Sequence, residues 1–171
     1  MEKIELYLND NEYTNEGYDN TRIIARAFVL NEENKLVLLH IQGDDIFGHR
    51  DYYETSGGGV EKGESLEEAI IRELDEEIGY KCEIMEYLGI VHDEYNLIKR
   101  KNENNYFLCK IKEKTKIHHV SYGDSMISEI KWFSIDEVLN IYNSMNNNKL
   151  ARIVRNREYP IALRVKEILD N

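Results

Sequence analysis

Between Gly58 and Gly79 the chain sets Glu64, Arg72, Glu73, Glu76 and Glu77 at fixed intervals. Ser65 and Glu68 form an S-x-x-E capping box, so the spacing predicts a helix from about Leu66, stopped by Gly79. At about 100° per residue, Ile70, Ile71, Leu74 and Ile78 make one apolar arc, the stripe of a helix packed on a sheet. Beside that arc Glu77 and Glu76 lie about 40° and about 60° to either side of Glu73, so three carboxylates share a face. Each such like-charge pair costs about 0.2–0.5 kcal/mol on an exposed helix, and more beside a core. A solvated acidic face is the account composition alone would give. The spacing points instead to a cation.

Mg²⁺ takes hard oxygen ligands and keeps several waters, so one or two carboxylates plus substrate phosphate oxygens suit it. Glu73, Glu76 and Glu77 can supply that set, and Gly57-Gly58-Gly59 lets backbone carbonyls approach the same ion without a Cβ in the way. Glycine runs are mostly ordinary turns, and only the position of this one, just before the glutamate helix, gives it a functional reading.

These residues resemble the Nudix box, G-x5-E-x7-R-E-U-x-E-E-x-G-U with U a bulky aliphatic residue, and every fixed letter is present from Gly58 to Gly79. At ordinary residue frequencies such a coincidence arises on the order of once in 10⁸ windows. Two positions depart mildly: Tyr80 stands at the last U, and Ser56 where many members carry proline. The resemblance implies an α/β/α sandwich with a mixed β-sheet and a pyrophosphohydrolase acting on a nucleoside diphosphate derivative, with Mg²⁺ or Mn²⁺ as cofactor. It implies Glu73, Glu76 and Glu77 as metal ligands, one of them a general base, with Gly57 and Gly58 contributing backbone oxygens. Arg72 takes an orienting role, holding a neighbouring glutamate through paired hydrogen bonds. Glu64 resembles the loop glutamate, read as a brace for the box in preference to a ligand.

With 171 residues the chain suits one domain, residues 1–171, with no internal repeat and no Gly/Pro/Ser-rich linker. Cys82 and Cys109 are isolated, as expected of a reducing cytoplasm, and no basic leader or run of about 18 apolar residues appears. The net charge of −11 argues against a nucleic-acid partner and requires cations to bring in an anionic small molecule. Membrane association is not expected, and monomer and homodimer are both open. Strands are predicted at Arg22–Leu30, Lys35–Ile41, Tyr52–Thr55, Cys82–His92, Asn105–Ile111 and Glu129–Phe133. Helices follow at Ile135–Tyr142 and Pro160–Leu169, with Asn140–Asn148 as a loop.

Outside the box, Glu129 opens the late strand where such proteins often add a metal contact or general base, and is a candidate for that role. The alternative is an exposed glutamate at a strand start. Gly43–Arg50 reads as a loop overhanging the box, with Arg50 able to meet a phosphate and Phe47 a base, or else as a polar surface loop. Trp132 alternates with Ile130 and reads as core, Lys99-Arg100-Lys101 as a hairpin turn, and His118-His119 lacks a third zinc ligand. The substrate stays open. The competing class is a nucleotide-binding sensor of the same fold; such modules tend to lose box glutamates, which are intact here. Capped-RNA processing calls for a basic surface, which a net charge of −11 argues against, and an isomerase calls for an active-site cysteine motif that neither Cys82 nor Cys109 provides.

Overall fold

The computed structural model describes residues 2–171. Eight strands join one mixed sheet: β1 (Ile4–Tyr7), β2 (Asn20–Leu30), β3 (Leu36–Asp45), β4 (Gly48–Glu54), β5 (Ser56–Gly59), β6 (Tyr80–Tyr95), β7 (Arg100–Lys114) and β8 (Ile127–Phe133). The order is β1-β6-β7-β2-β3-β4, with β5 paired to β2 and β8 to β3. β2 runs parallel to β7 over its whole length, from Asn20 opposite Arg100 to Leu30 opposite Lys110. From Ile24 to Leu30 every residue of β2 is buried, as are Leu36–Leu39 of β3 and Tyr106–Cys109 of β7. Side chains on both faces are therefore covered at the centre, which is what helices on two faces produce. Helix α1 (Leu66–Ile78) packs on β2, β5 and β6; α3 (Lys149–Asp170) packs on β4 and β6, with α2 (Ile135–Ser144) beside it. This is the expected α/β architecture.

The catalytic-helix candidate begins and ends as its residues dictate. Ser65 accepts from the Glu68 backbone and Glu68 accepts from the Ser65 backbone, completing the capping box, while Gly79 closes the helix in the left-handed region at φ 70°. Ser65→Ala is expected to cost about 1 kcal/mol, read as a shift in the midpoint of chemical denaturation. An unchanged midpoint would show the cap to be dispensable.

Several boundaries differ from expectation, each for a physical reason. Gly43–Arg50 is not a loop: β3 and β4 pair across it from Leu39 opposite Glu54 to Asp45 opposite Gly48, around Ile46-Phe47. Its charges pair across the strands, Arg50 with Asp45 and His49 with Asp44, so polarity that reads as loop belongs to an ion-paired hairpin. The turn placed at Lys99–Lys101 falls earlier, as a 3₁₀ turn over Asn96–Ile98, and β7 starts at Arg100. Strand-poor residues extend β7 because Asn102 and Asn104 are buried and both donate to Asp93 Oδ1 at 2.9 Å. The loop assigned to Asn140–Asn148 shrinks to residues 145–148, and the last helix starts at Lys149, where Asn148 caps it. Pro160 is internal to that helix. It leaves the carbonyl four residues back without its partner, but that residue is the exposed Asn156, where water can substitute. β1 and β5, the latter built from the glycine run, were not expected as strands. Among the described residues no helix is long and apolar enough to cross a membrane.

Candidate functional site

Glu73, Glu76 and Glu77 are buried, at 8, 9 and 5% exposure, although all three are charged residues on one helix. Burial raises the pKa of Glu73, against the opposing pull of Arg72, and raises that of Glu77 far more, against hydrogen bonds from Ser56 and the Gly57 backbone. The local sequence explains their placement. α1 crosses β5, so its carboxylate face meets the glycine strand, and the Glu73 carboxylate lies against Gly58. A Cβ on Gly58 would come within 2.5 Å of Glu73 Oε1 and would turn that carboxylate aside, while at Gly57 a Cβ would come within 2.2 Å of the Ala25 carbonyl, so there only glycine lets β5 lie against β2. Gly57 N–H and Ser56 Oγ both donate to Glu77 Oε1, at 2.8 and 2.7 Å.

Arg72 ties the box together. Its Nε and Nη2 donate to the two oxygens of Glu64 at 2.7 and 3.0 Å, Nη2 also to Gly59 O at 3.2 Å, and Nη1 to Glu73 Oε1 at 2.8 Å and Glu76 Oε2 at 3.4 Å. Glu64 in turn accepts from the Glu61 N–H at 2.9 Å, which fixes the loop. One guanidinium thus serves three carboxylates, and among the described residues Glu77 has no cation at ion-pair distance. Among the described residues no three acidic, imidazole or thiol groups stand at metal-coordinating separation. Glu77 turns toward Ser56, and Arg72 bridges Glu73 and Glu76. The donor set nonetheless fits a hard divalent cation: clustered carboxylate oxygens, buried, with more negative charge than Arg72 offsets.

The remaining expected residues are distributed differently. Glu129 lies on β8 opposite His40, half exposed and ion-paired to Lys131 at 3.2 Å; it is not among the charges that weigh most on Glu73 or Glu77. Asp124, absent from the sequence reading, is: its negative charge helps raise both glutamates. It sits buried in a 3₁₀ turn, Gly123–Met126, accepting from the Val120 and Ser121 N–H groups. Ser121-Tyr122-Gly123-Asp124 reads as any polar turn, and no periodicity marks it. Arg50 is held by Asp45 and donates to Tyr52 Oη at 2.8 Å, with its guanidinium 5.2 Å from the Phe47 ring. Phe47 packs edge-on against Tyr13 and Tyr95. Both stand in an aromatic cluster with their hydrogen bonds and contacts supplied by the chain itself. Trp132 is half-buried, edge-on to Tyr80.

The comparisons with known proteins bear on the family and the fold. The family model for the NUDIX domain matches residues 20–155. Nudix hydrolase 6 of Arabidopsis thaliana is 32% identical over 119 residues, covering 70% of this chain and 41% of that protein. Nudix hydrolase 5 of the same plant is 25% identical over 136 residues, 79% of this chain and 44% of that protein. The chain therefore spans less than half the length of these relatives. Among solved structures, the MutT protein from Methanosarcina mazei Go1 superposes with a TM-score of 0.66 at 21% identity, over 92% of this chain and 100% of that one. That likeness concerns the fold, whereas the domain match covers most of the chain and includes the whole box: the chain belongs to the Nudix hydrolase family.

Proposed function

We propose that the protein is a divalent-cation-dependent pyrophosphohydrolase that cleaves the diphosphate linkage of a nucleoside diphosphate derivative or a related phosphorylated metabolite. The observation that carries this reading is the buried triad Glu73, Glu76 and Glu77, crowded against Gly58 with Arg72 as its single paired cation. Burying three carboxylates costs folding free energy that a helix on a sheet does not require. A cation returns it. Mg²⁺, with Mn²⁺ as the substitute, fits the all-oxygen set and, once bound, supplies Lewis-acid stabilisation of phosphoryl charge and a more acidic coordinated water.

The chain's own groups then have distinct tasks. Glu73, Glu76 and Glu77 would hold the cation, with the backbone carbonyls of Gly57 and Gly58 as further oxygen donors. Arg72, pinned by Glu64, fixes the rotamers of Glu73 and Glu76. A carboxylate beside the site accepts the proton of the attacking water as oxygen bonds to one phosphorus and the other phosphoryl group leaves. Asp124 is better placed for that task than Glu129, because its charge acts on two members of the triad while Glu129 is paired on the surface. Non-catalytic sensors of the same fold tend to lose box glutamates, and here all three are intact. The two unpaired cysteines favour a reducing cytoplasm, and the net charge of −11 a small-molecule partner.

The direct test is a panel of nucleoside triphosphates, nucleotide sugars, ADP-ribose and dinucleoside polyphosphates, assayed for released phosphate or diphosphate with Mg²⁺ and with chelator. Turnover of none would overturn the enzymatic reading. On the best substrate, Asp124→Asn is expected to lower the rate about 10²-fold and Glu129→Gln to leave it within about twofold, the contrast that separates a general base from a surface ion pair. Equal effects would remove Asp124 from the site.

A further inference from the structure

β1 ends the strand order and pairs with β6, so among the described residues its other edge has no strand beside it. The pairing decides which backbone groups that edge presents. Leu8 N–H donates to the His92 carbonyl at 2.8 Å, and the backbone N and O of Ile4 both lie against Gly89, where a Cβ would come within 2.6 and 2.1 Å of them. Ile4, Leu6 and Leu8 therefore turn their peptide groups toward β6. By the two-residue period of a strand, Lys3, Glu5 and Tyr7 turn theirs away from it. Among the described residues no group bonds to these outward N–H and C=O groups. An edge of this kind is a template for a further strand.

The side chains alternate in step with the backbone. Ile4 and Leu6 are half-buried against the core, whereas Lys3, Glu5 and Tyr7 are exposed. Tyr7 is 73% exposed although it stacks flat on His92, with ring centres 4.4 Å apart. Neither charge on the strand is matched within the chain. Lys3 makes no ion pair among the described residues, its ammonium lying 5.2 Å from the Tyr87 ring, and Glu5 has no lysine or arginine at ion-pair distance, with His92 at 3.4 Å as its neighbour.

These charges select one occupant and one register. A second copy that meets β1 antiparallel across a two-fold axis sets outward residues opposite outward residues, so the peptide groups exchange their hydrogen bonds in pairs. With the axis at Glu5, two carboxylates face each other. With the axis at Leu6, Glu5 meets Tyr7 and Lys3 is left beyond the strand. With the axis at Ile4, Lys3 of each copy stands opposite Glu5 of the other, and the two Ile4 side chains meet on the half-buried face. Of the three, that register alone pairs both charges.

We propose that β1 is the dimerisation edge of this protein: two copies join β1 to β1, antiparallel, with Lys3 opposite Glu5 twice and Ile4 on the two-fold axis, so that the two sheets continue as one. A strand of four residues makes a small contact, at the low end of interface sizes, and the dimer accordingly forms at about 10–100 μM chain. The pairing is independent of the hydrolase reading, since β1 contributes no residue to the box.

Sedimentation velocity of the full chain, from about 1 to about 300 μM, tests this. The parent is expected to pass from the 20.2 kDa chain to twice that mass. Glu5→Pro should abolish the dimer with the circular dichroism of the fold retained, since the N–H it removes points away from β6. Lys3→Glu and Glu5→Lys should each weaken association about tenfold, and the two together, which restore opposite charges in exchanged places, should recover most of it. Ile4→Cys should give a disulfide-linked dimer with oxidised glutathione, because paired residues on the axis stand about 4.5 Å apart between Cα atoms; Glu5→Cys and Leu6→Cys should not. A parent that stays monomeric throughout, a dimer that survives Glu5→Pro, a double variant no better than the single ones, or crosslinking through residue 5 or 6 in place of 4 overturns this dimer.

Discussion

Glu77→Gln is expected to lower Mg²⁺-dependent hydrolysis by about 10²–10³-fold and, in chelator, to make the protein more stable, a combination that few surface or core substitutions produce. The carboxamide keeps the size of the side chain, and its carbonyl can still accept from Ser56 Oγ and the Gly57 N–H, so the α1–β5 contact survives. What disappears is a buried charge with no paired cation. The sign follows from burial, which raises the folded-state pKa of Glu77 above its unfolded value. The associated stability is fully present below the ordinary carboxylate range and is lost as pH rises through the raised folded value. In chelator the parent should therefore melt lower at about pH 8 than at about pH 5, and Glu77→Gln should reduce that difference. Mg²⁺ binds the ionised carboxylates, so its stabilising effect on the parent grows with pH and should be small in the variant. Glu76→Gln shares the loss of activity. Full turnover in either variant, or a Mg²⁺ melting shift independent of pH, would show that the triad does not hold the cation.

The box was legible because its constraints are local. The capping box at Ser65, the αL stop at Gly79, the apolar arc and the shared glutamate face all follow from helical spacing, and α1 runs from Leu66 to Ile78 as that spacing dictates. Glu64 and Arg72 are eight residues apart and meet through one turn of loop and two of helix, so their contact too is local. The rest of the site was not legible because it depends on pairings far apart in sequence. The Asp124 charge acts on Glu73 and Glu77 only because β8 pairs with β3 and brings the preceding turn with it. The hairpin at Gly43–Arg50 was mistaken for a loop because cross-strand ion pairs such as Arg50 with Asp45 look, in sequence, like any polar run. Buried asparagines in β7 defeat propensity in the same way, since their value lies in Asp93 on the adjacent strand.

Arg157→Met is expected to destabilise the fold by roughly 3–5 kcal/mol, the largest stability effect of any single change considered, measured by chemical denaturation at neutral pH. The side chain is fully buried on α3, donating from Nε to Tyr106 Oη at 3.1 Å and from Nη1 to Tyr95 Oη at 2.8 Å and Asp93 Oδ2 at 3.3 Å. Burial works against its charge, but the surrounding phenols and carboxylates outweigh that and keep the guanidinium ionised. Glu158, equally buried, is committed to the Thr55 N–H and hydroxyl, and Asp93 to Asn102 and Asn104, so neither can turn to water when the cation goes. Methionine matches much of the volume, which makes the loss one of charge compensation in place of packing. Arg157→Met combined with Asp93→Asn should therefore recover part of the deficit, since the asparagine carries no charge to strand. If the double variant is no more stable than the single one, the cost lies in the shape of the α3–sheet contact. The same arginine holds Tyr95, whereas the Glu64–Arg72 brace has no contact with it and should be left untouched.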